Sequence, residues 1–171
     1  MKLTYGEKAP ELVNVLIEVP LDSKVKYEFD KESEMVTVDR FLYFDRGYPA
    51  NYGFIPNTLS GDGDPVDVLV LAPFALAPGV VIAAKPIGML ETEDEKGMDA
   101  KLVAVPTEKA NPEFGKYNDI SELPDEIRET IKYFFENYKK NEPGKWVKVK
   151  EWLGKDAAIK EIEAGISNYG K

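Results

Sequence analysis

The chain contains neither cysteine nor histidine. Without cysteine there is no disulfide framework, no thiol nucleophile and no thiolate metal site, which fits a reducing compartment. Without histidine, a common general base and transition-metal ligand is missing as well. Any metal held by this chain has oxygen ligands, which favours hard ions such as Mg²⁺, Mn²⁺ or Ca²⁺ over zinc or copper. Positive charge is in deficit: 22 Lys and Arg against 31 Asp and Glu give a net charge of −9. That balance argues against nucleic acid or an anionic membrane as partner, since a polyanion could bind only through bound cations or a local basic cluster. The segment Met1 to Glu7 lacks the apolar stretch of a signal peptide. The long apolar run from Val68 to Ala84 is broken by Pro73, Pro78 and Gly79, so it reads as strand, turn, strand and not as a membrane span. The expectation is a soluble, cytoplasmic protein.

What is present is ordinary globular material. A length of 171 residues, 43% hydrophobic and 31% charged, predicts one domain over residues 1–171 with a real core. Abundant Glu and Lys, together with 12 prolines, also match the bias of heat-adapted proteins. Short strands are predicted at Val13 to Val19, Lys26 to Phe29, Met35 to Leu42, Val66 to Leu71, Val80 to Met89 and Ala100 to Val105, with an irregular piece from Pro49 to Pro56. Their close spacing predicts a small barrel. The last third changes period. Ile127, Ile131, Phe134, Phe135 and Tyr138 recur at helical spacing between Pro124 and Pro143-Gly144. Trp146 to Trp152 alternates like an edge strand, and Ala158, Ile159, Ile162 and Ile166 mark a C-terminal helix. The fold class expected is α+β, mainly β.

One stretch stands out: Asp62-Gly63-Asp64-Pro65-Val66-Asp67, followed by Val68-Leu69-Val70-Leu71. Asp, Gly and Pro form turns, and a turn alone would explain the first four residues. Asp67 is different, because it enters an apolar run, where a carboxylate must find a partner or a metal. An EF-hand loop is excluded. Counting from Asp62, the fifth residue is Val66, the sixth is Asp67 instead of glycine and the twelfth is Pro73 instead of glutamate. A second acidic group, Glu91, Glu93, Asp94, Glu95 and Asp99, reads by itself as a solvated loop between strands.

The stretch resembles the signature of the soluble, Mg²⁺-dependent family I inorganic pyrophosphatases of prokaryotic type. Further segments are similar to that family in the same order: Ile17-Glu18-Val19-Pro20, Lys26-Tyr27-Glu28, Val38-Asp39-Arg40-Phe41, Tyr48-Pro49-Ala50-Asn51-Tyr52-Gly53, Asp94-Glu95, Asp99 to Pro106, Phe134 to Lys139 and Gly144-Lys145-Trp146-Val147. The resemblance runs from about Val13 to the C-terminal helix and implies a five-stranded, OB-like barrel with external helices. It implies hydrolysis of pyrophosphate to two phosphates by direct attack of a metal-bound water, with Asp64 as general base. It also implies several Mg²⁺ ions per site, with Mn²⁺ as an alternative. Asp62, Asp67 and Asp99 would hold one ion, Asp67 would share a second, Asp94 with Asp99 a third, and Glu18 would help with a fourth. Arg40, Tyr138 and Lys139 would hold the leaving phosphate, and Lys26 with Tyr52 the attacked one. Lys101 and Lys145 would balance charge, and Glu28 would orient Lys26. A homohexamer is implied too.

Taken singly, several of these residues have plainer readings. Tyr138 lies on the apolar stripe of its helix, Lys139 and Lys145 look like surface lysines, and Tyr52 could pack in a loop. Three other functions stay open on the sequence: an oligonucleotide-binding OB module, which the acidic balance opposes; a metal-binding protein without catalysis, which would need neither Asp64 nor Arg40; and a phosphohydrolase of nucleotides or polyphosphate.

Overall fold

β-branched residues fill the first strand, β1 (Val13–Val19), and all but Asn14 are buried. The structure is a computed structural model and describes residues 3–171. A hairpin of β2 (Val25–Asp30) and β3 (Met35–Phe41) follows, then β4 (Asn51–Phe54), β5 (Asp67–Val70), β6 (Val81–Asp94) and β7 (Gly97–Pro106). A short helix α1 (Pro112–Gly115) and a 3₁₀ turn at Ile120–Glu122 lead into α2 (Asp125–Asn137), β8 (Val147–Gly154) and α3 (Lys155–Asn168). Among the described residues, no helix is long and apolar enough to cross a membrane.

The expected barrel is present as a closed ring. β1 pairs with β4 and with β6, β4 with β5, β5 with β7 in parallel, and β7 with β6, which returns to β1. β8 adds to the outer part of β6 as an edge strand, as its alternation predicted. The β2–β3 hairpin forms its own small sheet. Strand alternation sends successive side chains to two cores. Leu69 and Val103 pack with Ile131, Phe134 and Phe135 of α2. Val68, Val70 and Leu102 pack with Ala158 and Ile162 of α3. Gly53 lets β4 approach β1, since a Cβ there would lie 1.9 Å from the Leu16 carbonyl oxygen.

The second acidic group is not a loop. β6 extends through Glu91 and Glu93 to Asp94, β7 begins at Gly97, and only Glu95-Lys96 turn the chain. Leu90, Thr92 and Asp94 are buried on one face of this extension while Glu91 and Glu93 sit on the other. Period-two burial decides the conformation, and the charges do not prevent it.

Candidate active site

The Asp62-Gly63-Asp64-Pro65 stretch is both a turn and an acidic feature. Gly63 has φ of +90°, a region that favours glycine. The Ser60 amide donates to the Asp64 carbonyl at 2.7 Å, and the Asp64 amide donates to Asp62 Oδ1 at 3.0 Å. This turn delivers the chain through buried Val66 to Asp67, the first residue of β5. In the parallel pairing Asp67 stands level with Lys101 on β7. The partner that a carboxylate needs in an apolar strand is therefore Lys101. Its Nζ lies 2.7 Å from Asp67 Oδ2, 2.8 Å from Asp99 Oδ2 and 2.9 Å from the Tyr52 hydroxyl.

Glu18 reaches the same place by a different device. It falls between Ile17 and Val19, both fully buried, where the β1–β4 register slips. A bulge of this kind re-aims one side chain. Glu18 turns toward the cavity and its Oε2 accepts the Phe29 amide at 2.7 Å. Lys26 and Arg40 face each other across the β2–β3 hairpin. Like charges in that position repel, and Asp39 sits between them, with Oδ2 at 3.0 Å from Lys26 Nζ and 2.8 Å from Arg40 Nη1. The ion partner of Lys26 is thus Asp39. Glu28 lines the cavity beside them. Just beyond α2, Tyr138 stacks on Phe134 at 4.9 Å within the core and also lines the cavity. Lys139 follows and pairs with Asp94 at 3.2 Å.

These elements enclose a cavity of about 620 Å³. Asp62, Asp64, Asp67, Asp94, Asp99, Glu18, Lys26, Glu28, Arg40, Tyr52, Lys101, Tyr138, Lys139 and Lys145 all line it, so the structure gathers every candidate singled out in the sequence. It adds Tyr48, which sits in a quoted segment without an assigned role, and Glu95, Lys96, Asp30 and Lys31 at the margin. Asp39 and the buried Glu142 behind Arg40 were not anticipated, because each looks like a solvated surface carboxylate until its partner is known.

The electrostatics follow from crowding. Burial pushes the Glu18 carboxyl up to about 7, although the Phe29 amide opposes it. Asp99 and Asp62 are likewise raised, first of all by burial. Burial opposes the charge on Lys101, yet Asp67, Tyr52 and Asp99 hold it well above the usual ammonium range. Burial also raises the phenols of Tyr48, Tyr52 and Tyr138, which therefore stay protonated and able to donate. Nine acidic and seven basic side chains line the cavity, a mixture suited to holding metal cations and a polyanion together.

The donor set fits a divalent ion. Its ligands are all oxygen, and an ammonium group already stands as a cation between Asp67 and Asp99. Among the described residues, no three carboxylates converge on one point as they are placed, because Lys101 separates the pair. Arg40 Nη2 is buried without a hydrogen-bond partner, which fits an anion as its missing acceptor.

Comparison with known proteins agrees with this arrangement. The family model described as inorganic pyrophosphatase matches residues 15–170. The chain is 54% identical over 169 residues to the inorganic pyrophosphatase of Aquifex pyrophilus, covering 99% of this chain and 96% of that one. It is 53% identical over 167 residues to that of Ralstonia nicotianae, covering 97% and 95%. The crystal structure of inorganic pyrophosphatase from Thermus thermophilus superimposes with a TM-score of 0.95 at 44% identity, covering 99% of this chain and 98% of that one. With the ring of strands, the turn that carries Asp62 and Asp64, and a match along nearly the whole length, the chain belongs to the inorganic pyrophosphatase family.

Proposed function

We propose that the 171 residues act as one domain whose 620 Å³ cavity is the catalytic centre for the hydrolysis of pyrophosphate to two phosphates, with Mg²⁺ as the preferred ion and Mn²⁺ as an alternative. The supporting observation is the convergence of oxygen ligands, phosphate-binding cations and Asp64 on one cavity. Pyrophosphate is small and highly charged, and its cleavage needs positioning and charge stabilisation more than covalent chemistry. The family requires a divalent metal. Asp62, Asp67 and Asp99 would hold one ion, Asp67 would share a second, Asp94 and Asp99 would take a third, and Glu18 would support a fourth. Bound there, the ions supply positive charge and make water more acidic.

The chain's own residues do the rest. Asp64 accepts the proton of the attacking water on a carboxylate oxygen, a role left to a carboxylate in a chain without histidine. Arg40, Tyr138 and Lys139 hold the leaving phosphate, the guanidinium through its unpartnered Nη2 and the ammonium as a point charge. Lys26 and Tyr52 hold the attacked phosphate. Lys101, placed between Asp67 and Asp99, would balance charge and bind substrate oxygens, and Lys145 adds positive charge to the cavity lining.

The deciding assay is phosphate release from pyrophosphate with Mg²⁺, with a chelator, and with a nucleoside triphosphate as competitor. Rapid Mg²⁺-dependent release that the triphosphate does not slow is expected. Faster turnover of the triphosphate would replace this reading with a nucleotide hydrolase. We further propose a cytoplasmic homohexamer. Light scattering tests it, and a monomer at micromolar concentration would end it.

A further inference from the structure

Arg40 is gripped from two sides. Asp39 on its own strand holds Nη1 at 2.8 Å. Glu142, in the loop after α2, brings Oε1 to 2.7 Å from Nε, an ion contact made outside hydrogen-bond geometry. Nη2 is left buried and unpartnered. Glu142 does not line the cavity, yet it is only 9% exposed and its Oε2 has no hydrogen-bond partner. A buried glutamate is rare unless paired, and leaving one oxygen unsatisfied is costly. The same residue organises its loop. Its amide donates to the Lys139 carbonyl at 2.9 Å, and its Oε1 lies 3.6 Å from Lys145 Nζ. Next to it, Asn141 Nδ2 donates to the Tyr43 carbonyl at 2.8 Å, so the loop bearing Lys139 and Lys145 is anchored to the chain just beyond β3.

We propose that Glu142 is a positioning residue for Arg40: with Asp39 it fixes the guanidinium before substrate arrives, so that Nη2 remains as the free donor to a phosphate oxygen. This rests on the reading that Arg40 grips phosphate. Nη1 is hydrogen-bonded to Asp39 and Nε is held against Glu142 by charge, so Nη2 is the terminal nitrogen left free, and the rotamer is set in advance. Glu142 also links Arg40 on the hairpin to Lys145, whose Nζ lies 3.6 Å from the same Oε1.

The test is a double-mutant cycle of Glu142→Gln and Arg40→Ala, with kcat and KM for Mg²⁺-pyrophosphate measured alongside Tm. Glu142→Gln is expected to raise KM about tenfold with Arg40 present, and to change it by less than about twofold with Arg40→Ala, as for groups in direct contact. Loss of folded protein alone would lower apparent kcat and leave KM in place. If Arg40→Ala leaves kcat/KM intact, the phosphate-gripping role of Arg40 falls, and this proposal with it. If Arg40→Ala lowers kcat/KM but Glu142→Gln costs the same in both backgrounds, or changes only Tm, Glu142 is structural and this proposal alone is overturned. Should Glu142→Gln fail to fold, Glu142→Asp carries the same cycle, with a smaller rise in KM that must also vanish without Arg40.

Discussion

Asp99 and Asp119 are the same residue type in opposite circumstances. Asp119, outside the cavity, accepts the Ser121 amide at 3.0 Å, the Ser121 hydroxyl at 2.7 Å and the Lys155 amide at 2.9 Å. Those fixed donors, the Lys155 amide foremost, hold its carboxyl below the usual carboxylate range. Asp99 is raised by burial first; Lys101 draws it down and Asp67 pushes it back up. Glu18 and Asp62 behave like Asp99. At the cavity margin, exposed Asp30 is lowered by Ser33 and Glu32 much as Asp119 is, and Asp94 is held low by the Lys96 amide and Lys139 although burial raises it. Asp119 is matched by backbone donors that cannot leave. Asp67 and Asp99 share one lysine side chain that can. Three carboxyls raised by burial in one cavity mark it as the candidate functional site.

Neutral substitutions break this contrast most strongly. Asp64→Asn is expected to lower turnover by about 10² to 10⁴-fold, the usual span for losing a general base, while metal affinity stays near the wild-type value. Unchanged turnover would remove Asp64 from the proton-accepting role. Asp67→Asn should weaken metal affinity and turnover together, since Asp67, like Asp99, is assigned to two ions; a normal metal titration in that variant would contradict the sharing.

Metal removal sharpens the contrast without changing the sequence. Adding Mg²⁺ to chelator-treated protein should raise Tm, by an amount equivalent to about 2.7 kcal/mol at a hundred times the dissociation constant. The gain should be equal in Asp119→Ala, whose carboxylate lies outside the cavity, and smaller in Asp67→Asn. A gain that disappears in Asp119→Ala would mean that the two regions are coupled through the fold.

Much of this was legible along the chain, and the reasons differ by residue. The Asp62 turn could be read because its residues lie together and their chemistry is local. Asp67 could be read because it interrupts an apolar run. Helix α2 was visible through Ile127, Ile131 and Phe134, and Tyr138 showed only its core half, since periodicity records where a ring packs and not where its hydroxyl ends. The extension of β6 was hidden because Glu91 and Glu93 carry charge on one face while Leu90 and Thr92 are buried on the other. Asp39 and Glu142 were illegible as partners of Lys26 and Arg40. Their meaning depends on hairpin register and on a loop that returns to β3 from far along the chain. Glu18 needed the bulge in β1, which no sequence pattern announces.

The smallest effect expected is at Asp119 itself. Its Oδ1 caps the first amide of α3, which Gly154 cannot cap with a side chain, and its Oδ2 caps the 3₁₀ turn before α2. Asp119→Ala should cost about 1 to 2 kcal/mol, the range for a lost N-cap, with kcat unchanged because the residue does not touch the cavity. Asp119→Asn separates charge from shape. A carboxyl whose folded-state pKa lies below its ordinary value of 3.8 contributes stability that is present above that value and lost as pH falls through the folded-state one. The stability gap between wild type and Asp119→Asn should therefore stay constant from about pH 8 to pH 5 and close below about pH 4. Denaturant titrations at a series of pH values measure it. A gap that survives in strong acid would mean that the cap works through hydrogen-bond geometry alone, and the contrast with Asp99 would then rest on burial and not on charge.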